Sequence, residues 1–500
     1  MKNKYIYLSV LAALGFAACE PEFENEVSNG SYSAGDADFT TYVAIGNSLT
    51  AGYMDGTVSR VGQSYSYPNI LAQQFAIVGG GAFTQPSYAD DVNNLGGFLL
   101  GGTQITSTRL VIDAGAGGPE PIAGMPTVEV SNLQARAYNN MGVPGAKSFH
   151  LLAPGYGNVA GVGMGVANPY FVRHATTPNA TVMGDALSLN PTFFTNWIGN
   201  NDVLSFAISG GVGVNQEGNM DPSTYGSNDI TDPTVFASVY STITNMLTAN
   251  GAKGVCATIP DVTAIPYFTT VPYNPVPLNA NQVAALNANF GVYNAGLQQM
   301  QTLGMLSADE VARRTITFHE GEGNAVTIVD ESLTDLNGLG LPSYRQATAN
   351  DLVVLPAMSF IGTTVGGNEN LVNGVSVPLE DQWVLIPSEI SMISEATLSF
   401  NTSIKNIAQS KGLAVVDMNA VMNQLVSGLR VEDGQIYTAN YFSLQTVGTV
   451  VFSLDGIHPN ARGYALVANE IIKAINSHYN AKLPLINAGN YPGATILPSN

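Results

Sequence analysis

Apolar runs of strand length alternate along this chain with stretches whose apolar residues recur at helical spacing, and that alternation restricts the fold more than any other feature. The strand-like runs cover residues 41–45, 191–198, 254–259 and 413–417. Between them, Pro68 opens a short helical stretch ending near Phe75, and Asp232-Pro233 supplies a cap and a first-turn proline. Phe236, Val239, Ile243, Met246 and Leu247 then repeat as one helix face that Gly251 closes. Further helices are predicted over 281–303, from Ser388 to Gly412 with Ile393, Ala396, Phe400, Ile404 and Ile407 inward, and over 461–475. Strands alternating with amphipathic helices predict an α/β sandwich around a mainly parallel sheet, joined by right-handed crossovers.

Two segments break the alternation. Residues 78–130 are glycine-rich and aperiodic, which reads as a long surface insertion with a hairpin around 103–113. Residues 304–385 read as a cap or subdomain, with two β-rich runs over 314–329 forming a second hairpin about a glycine turn. Residues 138–147, Tyr-Asn-Asn-Met-Gly-Val-Pro-Gly-Ala-Lys, read as a polar turn with two glycines.

The first strand runs into Gly46-Asn-Ser48, a turn that presents one hydroxyl. A serine there is a nucleophile only if a base removes its proton and donors receive the oxyanion. The chain has five histidines, and His458 is the best placed, between a loop and the closing helix, with Asp455 three residues earlier. On a turn, that carboxylate can hold one ring nitrogen and leave the other facing the serine. The run over 191–198 empties into Gly199-Asn-Asn-Asp202, and open α/β sheets place their chemistry at such strand ends.

Taken together, Gly46-Asn-Ser48-Leu, Asn140 with Gly145, Gly199-x-Asn201-Asp202 and Asp455-x-x-His458-Pro resemble the four ordered blocks of the SGNH hydrolases, the Gly-Asp-Ser-Leu esterases and lipases. Asn47 stands where the family name has Asp. The resemblance covers about 39–78, 136–262 and 387–478, and implies a three-layer α/β/α sandwich of flavodoxin-like kind. It also implies Ser48 as nucleophile and His458 as general base and then acid, oriented by Asp455. The oxyanion hole would be the N–H of Ser48, the N–H of Gly145 and the side-chain amide of Asn201. Gly142 lies in the same turn as Gly145 and is an alternative donor, and a backbone carbonyl is an alternative to Asp455. Asp202 is expected to brace its loop. An α/β-hydrolase fits less well, since its elbow expects glycine where Thr50 stands.

Lys2 and Lys4 precede an apolar run over 5–18 that is too short to span a bilayer as a helix. It ends in Phe16-Ala-Ala-Cys19, which resembles the lipobox of bacterial lipoproteins, with Phe16 where the pattern prefers Leu. That resemblance implies a signal peptide over 1–18 and acyl chains on Cys19. The alternative is an ordinary signal peptide with an incidental cysteine. Charge, proline and small residues make 19–38 a flexible tether. Its acidic start resembles the export signal of surface-exposed lipoproteins, so the expected place is the cell envelope, at the outer membrane. The body is expected over 39–482, and 483–500 form a tail.

Seventeen Lys and Arg against 37 Asp and Glu give a net charge of −20, which argues against nucleic acid as a partner. Beyond Cys19, only Cys256 remains, inside an apolar run, so no disulfide framework is expected. The acidic turn over 219–232 lacks regular calcium-ligand spacing, and neither a metal nor a cofactor is expected. These readings converge on a lipid-anchored serine esterase outside the cytoplasm, acting on O-acetylated glycans or acyl lipids through an acyl-enzyme. The competing reading is a non-catalytic surface lipoprotein that holds a glycan or nutrient on a hydrolase scaffold.

Overall fold

A computed structural model describes residues 31–113, 118–432, 434–443 and 445–497. The expected signal peptide and Cys19 lie outside the described residues. At the centre is an all-parallel sheet of five strands: β1 (Tyr42–Gly46), β2 (Asn140–Gly142), β3 (Phe193–Trp197), β4 (Lys253–Ala257) and β5 (Ala414–Val416). Their spatial order is β5-β4-β3-β1-β2. Every residue of β1 and β3 is buried, as expected for strands covered on both faces. Register pairs Gly46 with Trp197 on one side and with Gly142 on the other. The three strands therefore end level, and the loops that follow them open at one edge.

Among the helices that frame the sheet and the site are α1 (Ser48–Ala51), α2 (Tyr67–Ile77), α3 (Asn201–Ile208), α4 (Pro233–Thr248), α5 (Ala280–Thr302), α6 (Pro387–Ser410), α7 (Met418–Ser427) and α8 (Ala461–Tyr479). Asp232 caps α4 by accepting from the Thr234 and Val235 N–H groups. Helix α4 packs on α6, where Phe236 and Phe400 stack at 4.3 Å, and α8 packs on α2. A mixed α/β fold with a parallel sheet thus follows from the alternation, but several local expectations need correction.

Residues 138–147 are not all turn, because Asn140–Gly142 forms an edge strand of the central sheet. Neither expected hairpin exists. Thr103–Gln104 pairs back on Leu99–Leu100, while Leu110–Asp113 pairs forward with Gly118–Pro121. Likewise Gly321–Asn324 pairs with Val276–Leu278, and Thr327–Val329 with Tyr344–Gln346. In the first insertion two shorter local pairings, one of them across Gly101-Gly102, replace the single expected hairpin, and in the second more distant partners displace the expected glycine turn. Helix α5 belongs with this second interruption: its Asn287 and Asn294 side chains each accept from and donate to the backbone of the segment around 316–318. Residues from about 276 onward thus make contact with the 304–385 segment.

The first insertion is more than surface, since Phe98, Val128 and Val130 share a small core with Ala51 and Val58 beside α1. Both ends of the expected body are also flanked by segments that pack on it. The end of the expected tether is attached, because Ser33 bridges Lys482 and the Asp36 N–H donates to the Tyr479 carbonyl at 2.7 Å. Asn469 and Asn476 on α8 each clamp the expected tail, at Ile486 and Leu483, with paired hydrogen bonds.

Candidate active site

Ser48 is the first residue of α1, directly after β1, and is 7 % exposed. As the first helical residue it has no intrahelical acceptor for its N–H. Asn47 caps the turn, its Oδ1 accepting from the Leu49 N–H at 3.1 Å. The turn is seated tightly on β2, where a Cβ on Gly142 would lie 2.3 Å from the Ala51 nitrogen, so only glycine fits.

The 453–458 loop, just before α8, brings the base. His458 Nε2 lies 2.9 Å from Ser48 Oγ, and His458 Nδ1 lies 2.9 Å from Asp455 Oδ2. The same carboxylate accepts from the Ile457 and His458 N–H groups at 2.9 Å, from Ser453 Oγ at 3.0 Å and from the Gly56 N–H at 3.1 Å. Burial pushes the Asp455 carboxyl up, but the nearby His458 and this set of donors outweigh it and hold it below the usual carboxylate range. With Asp455 ionised, Nδ1 carries a proton and Nε2 is free to accept from Ser48. The Tyr53 ring packs 4.4 Å from the imidazole and walls that side.

The other histidines do not compete. His150 is pushed down to about 4, first by burial and then by Lys147, and His174 down to about 3, first by burial and then by Arg173. His319 lies next to the Glu320 carbonyl, and His478 Nε2 lies 2.9 Å from the Gly412 carbonyl.

The expected oxyanion donors lie on loops after the neighbouring strands. Gly142 is engaged, its N–H donating to Asn140 Oδ1 at 3.0 Å. Gly145 is exposed with φ +79°, and its N–H donates to no group among the described residues. This geometry favours Gly145 over Gly142 as the available donor. Asn201 opens α3, and its Nδ2 donates to the Ala146 carbonyl at 2.9 Å, which leaves one amide hydrogen. Asp202 accepts from Ser148 through N–H at 2.8 Å and Oγ at 2.7 Å. Consecutive residues of α3 thus hold the turn that carries Gly145.

Three residues beside the site were not singled out from sequence. Asn200 is buried against the cavity next to Ser48, and its side chain has no hydrogen-bond partner among the described residues. Asp55 is buried behind Asp455, accepting from the Leu454 N–H at 3.0 Å. Burial, then the neighbouring Asp455, push it up to about 6 against a hydrogen bond from Leu454 and the charge of Arg109. Gly56 donates to Asp455 directly. A Met-Asp-Gly turn close after the serine is the only local signal for the last two.

Among the described residues one trio of carboxylates, Glu331, Asp381 and Glu389, places oxygens within 4.8 Å of one another. Glu389 is pushed up to about 9 by burial and by its two acidic neighbours, so at neutral pH it holds a proton. That favours proton sharing inside the trio. Cys256 is fully buried and pushed up to about 11 by burial, as suits a core residue. In the acidic turn, Asp229 and Asp232 are occupied by backbone N–H groups. No family model and no curated protein matches the chain.

Proposed function

We propose that this protein is a serine esterase that cleaves carboxylic esters through an acyl-enzyme. The observation that carries the reading is the continuous hydrogen-bond chain from Ser48 Oγ through His458 to Asp455, at the carboxyl ends of β1 and β3. Ser48 Oγ attacks the ester carbonyl carbon as its proton passes to His458 Nε2, and the electron pair moves onto the carbonyl oxygen. The Ser48 and Gly145 N–H groups and the Asn201 amide donate to that oxyanion, each such donor contributing about 3 kcal/mol. Collapse breaks the bond to the alcohol, which leaves with the proton from His458. Water then adds to the acyl carbon, giving its proton to His458 Nε2; Ser48 leaves with that proton and the carboxylic acid is released.

The fold that accompanies this reading is the three-layer sandwich of the SGNH hydrolases. Two features support it. In chain-order numbering the sheet reads 2-1-3-4-5, with its order reversing beside β1, and ligands sit at that switch point in doubly wound sheets. Helix α2 also packs with α8, while α6 packs against both α3 and α4. Anchorage through a lipid on Cys19, outside the cytoplasm, rests on the N-terminal sequence.

The purified full chain should hydrolyse p-nitrophenyl esters, and a fluorophosphonate probe should label Ser48. Ser48→Ala should lose both while keeping the circular dichroism of the wild type. Equal rates in the two proteins, or no labelling, would instead favour a binding protein on a hydrolase scaffold.

A further inference from the structure

One wall of the site opens into a largely apolar cavity. Ser48 and His458 form part of its lining, so whatever fills it is held against the reacting atoms. Among the described residues, His458 is also the only ionisable side chain that lines it. Polar groups are confined to Ser48, His458 and the asparagines Asn47, Asn200 and Asn201 at the strand ends.

The remaining surface is hydrocarbon, and its arrangement is directional. Helix α7 starts just after β5 and turns Met418, Val421, Met422 and Leu425 toward the cavity, at the spacing of a single helix face. Seven residues of helix carry that wall about 10 Å away from the sheet edge. Leu466 and Val467 of α8 face it, and Pro260 and Ile265, after β4, add to the lining. Met418 and Met422 are unbranched and adaptable, which suits a flexible occupant. An acetylated glycan would bring hydroxyl groups into a wall with nothing to satisfy them, at a cost for each unpaired group. A hydrocarbon chain loses no hydrogen bond there.

We infer that the acyl half of the ester is a medium or long hydrocarbon chain that lies between α7 and α8, with its carboxyl carbon at Ser48 Oγ. This inference rests on the esterase reading and narrows its substrate from esters in general to fatty acyl esters. Each methylene buried in the cavity should raise kcat/KM about fourfold, until the wall ends.

The test uses the full chain with the p-nitrophenyl esters of acetate, butyrate, octanoate and palmitate, together with palmitate binding to Ser48→Ala by calorimetry. The inference expects kcat/KM to climb at least tenfold from acetate to octanoate, and Ser48→Ala to bind palmitate. Leu425→Trp, which fills the far part of the cavity, should lower the octanoate-to-acetate ratio at least tenfold. Leu429→Trp repeats the test should that protein misfold. Hydrolysis of acetate at Ser48 with a flat or falling series and no palmitate binding would overturn the inference and leave the esterase reading standing. No hydrolysis of any ester and no fluorophosphonate label would overturn both.

Discussion

Asp455→Asn isolates the electrostatic part of the proposed mechanism, because the side chain keeps its size while its hydrogen-bond polarity changes. In the wild type, Oδ1 accepts from two backbone N–H groups and Ser453 Oγ, while Oδ2 faces His458 Nδ1 and the Gly56 N–H. An amide must put its single oxygen toward the two backbone donors at 457 and 458, since the NH₂ group cannot accept. The NH₂ group then points at His458 Nδ1 and at the Gly56 N–H. Nδ1 is forced to accept, the ring proton moves to Nε2, and Ser48 faces a donor 2.9 Å away instead of a base. A wrong-tautomer histidine costs about 10⁴ in kcat in serine proteases, or about 5 kcal/mol of barrier. The assay is kcat on a p-nitrophenyl ester, with fluorophosphonate labelling of Ser48 as an independent readout of its nucleophilicity. Circular dichroism and urea unfolding confirm that the variant folds. A loss below about 10²-fold, the low end of what a positioned base contributes, would mean that this histidine–aspartate pair does not activate Ser48.

Two stability predictions follow from charges away from the reacting atoms. Because the buried Asp55 carboxyl is raised from 3.8 to about 6, its contribution is fully present below about pH 4 and is lost as pH rises through 6. That window corresponds to about 3 kcal/mol as an upper figure. Asp55→Asn still accepts from the Leu454 N–H and cannot ionise, so urea unfolding should find it level with wild type near pH 4 and more stable at pH 7; a difference that does not change with pH would refute the shift. In the second interruption, Arg345 bridges Asp330 through Nε at 2.5 Å and Asp351 through two bonds at 2.6 and 2.7 Å, all three side chains being buried. Arg345→Met leaves two carboxylates buried without their partner and should cost about 3–5 kcal/mol in urea unfolding at pH 7, with a smaller loss at pH 4 where the acids can take up protons.

The local chemistry of the site was legible because it is written in short segments. A strand ending in Gly46-Asn-Ser48, a polar cluster after the next long strand and Asp455 three residues before His458 each depend on residues adjacent in the chain. Helix stripes and caps were legible for the same reason: Asp232 and the face from Phe236 to Leu247 are local patterns. Strand β2 was not, because Asn140–Gly142 is three residues long and polar in sequence, and only its pairing with β1 makes it a strand. The two expected hairpins failed for different reasons: in the first insertion two shorter local pairings form, one across Gly101-Gly102, and in the second more distant strands overrule the pairing that a glycine turn proposes.

By itself, then, the sequence determined the alternating α/β pattern, the serine turn and the Asp-x-x-His loop, all of which arise from spacing along the backbone. Only the tertiary structure decided that Ser48 and His458, 410 residues apart, meet at 2.9 Å. It alone separated Gly145 from Gly142, through a hydrogen bond that engages one and not the other. The cavity belongs wholly to that level, since α7, α8, the loop after β4 and the loop before α8 each contribute a few apolar side chains that look like ordinary core in sequence. A continuous hydrocarbon wall is a property of how faces converge, and no single segment carries it.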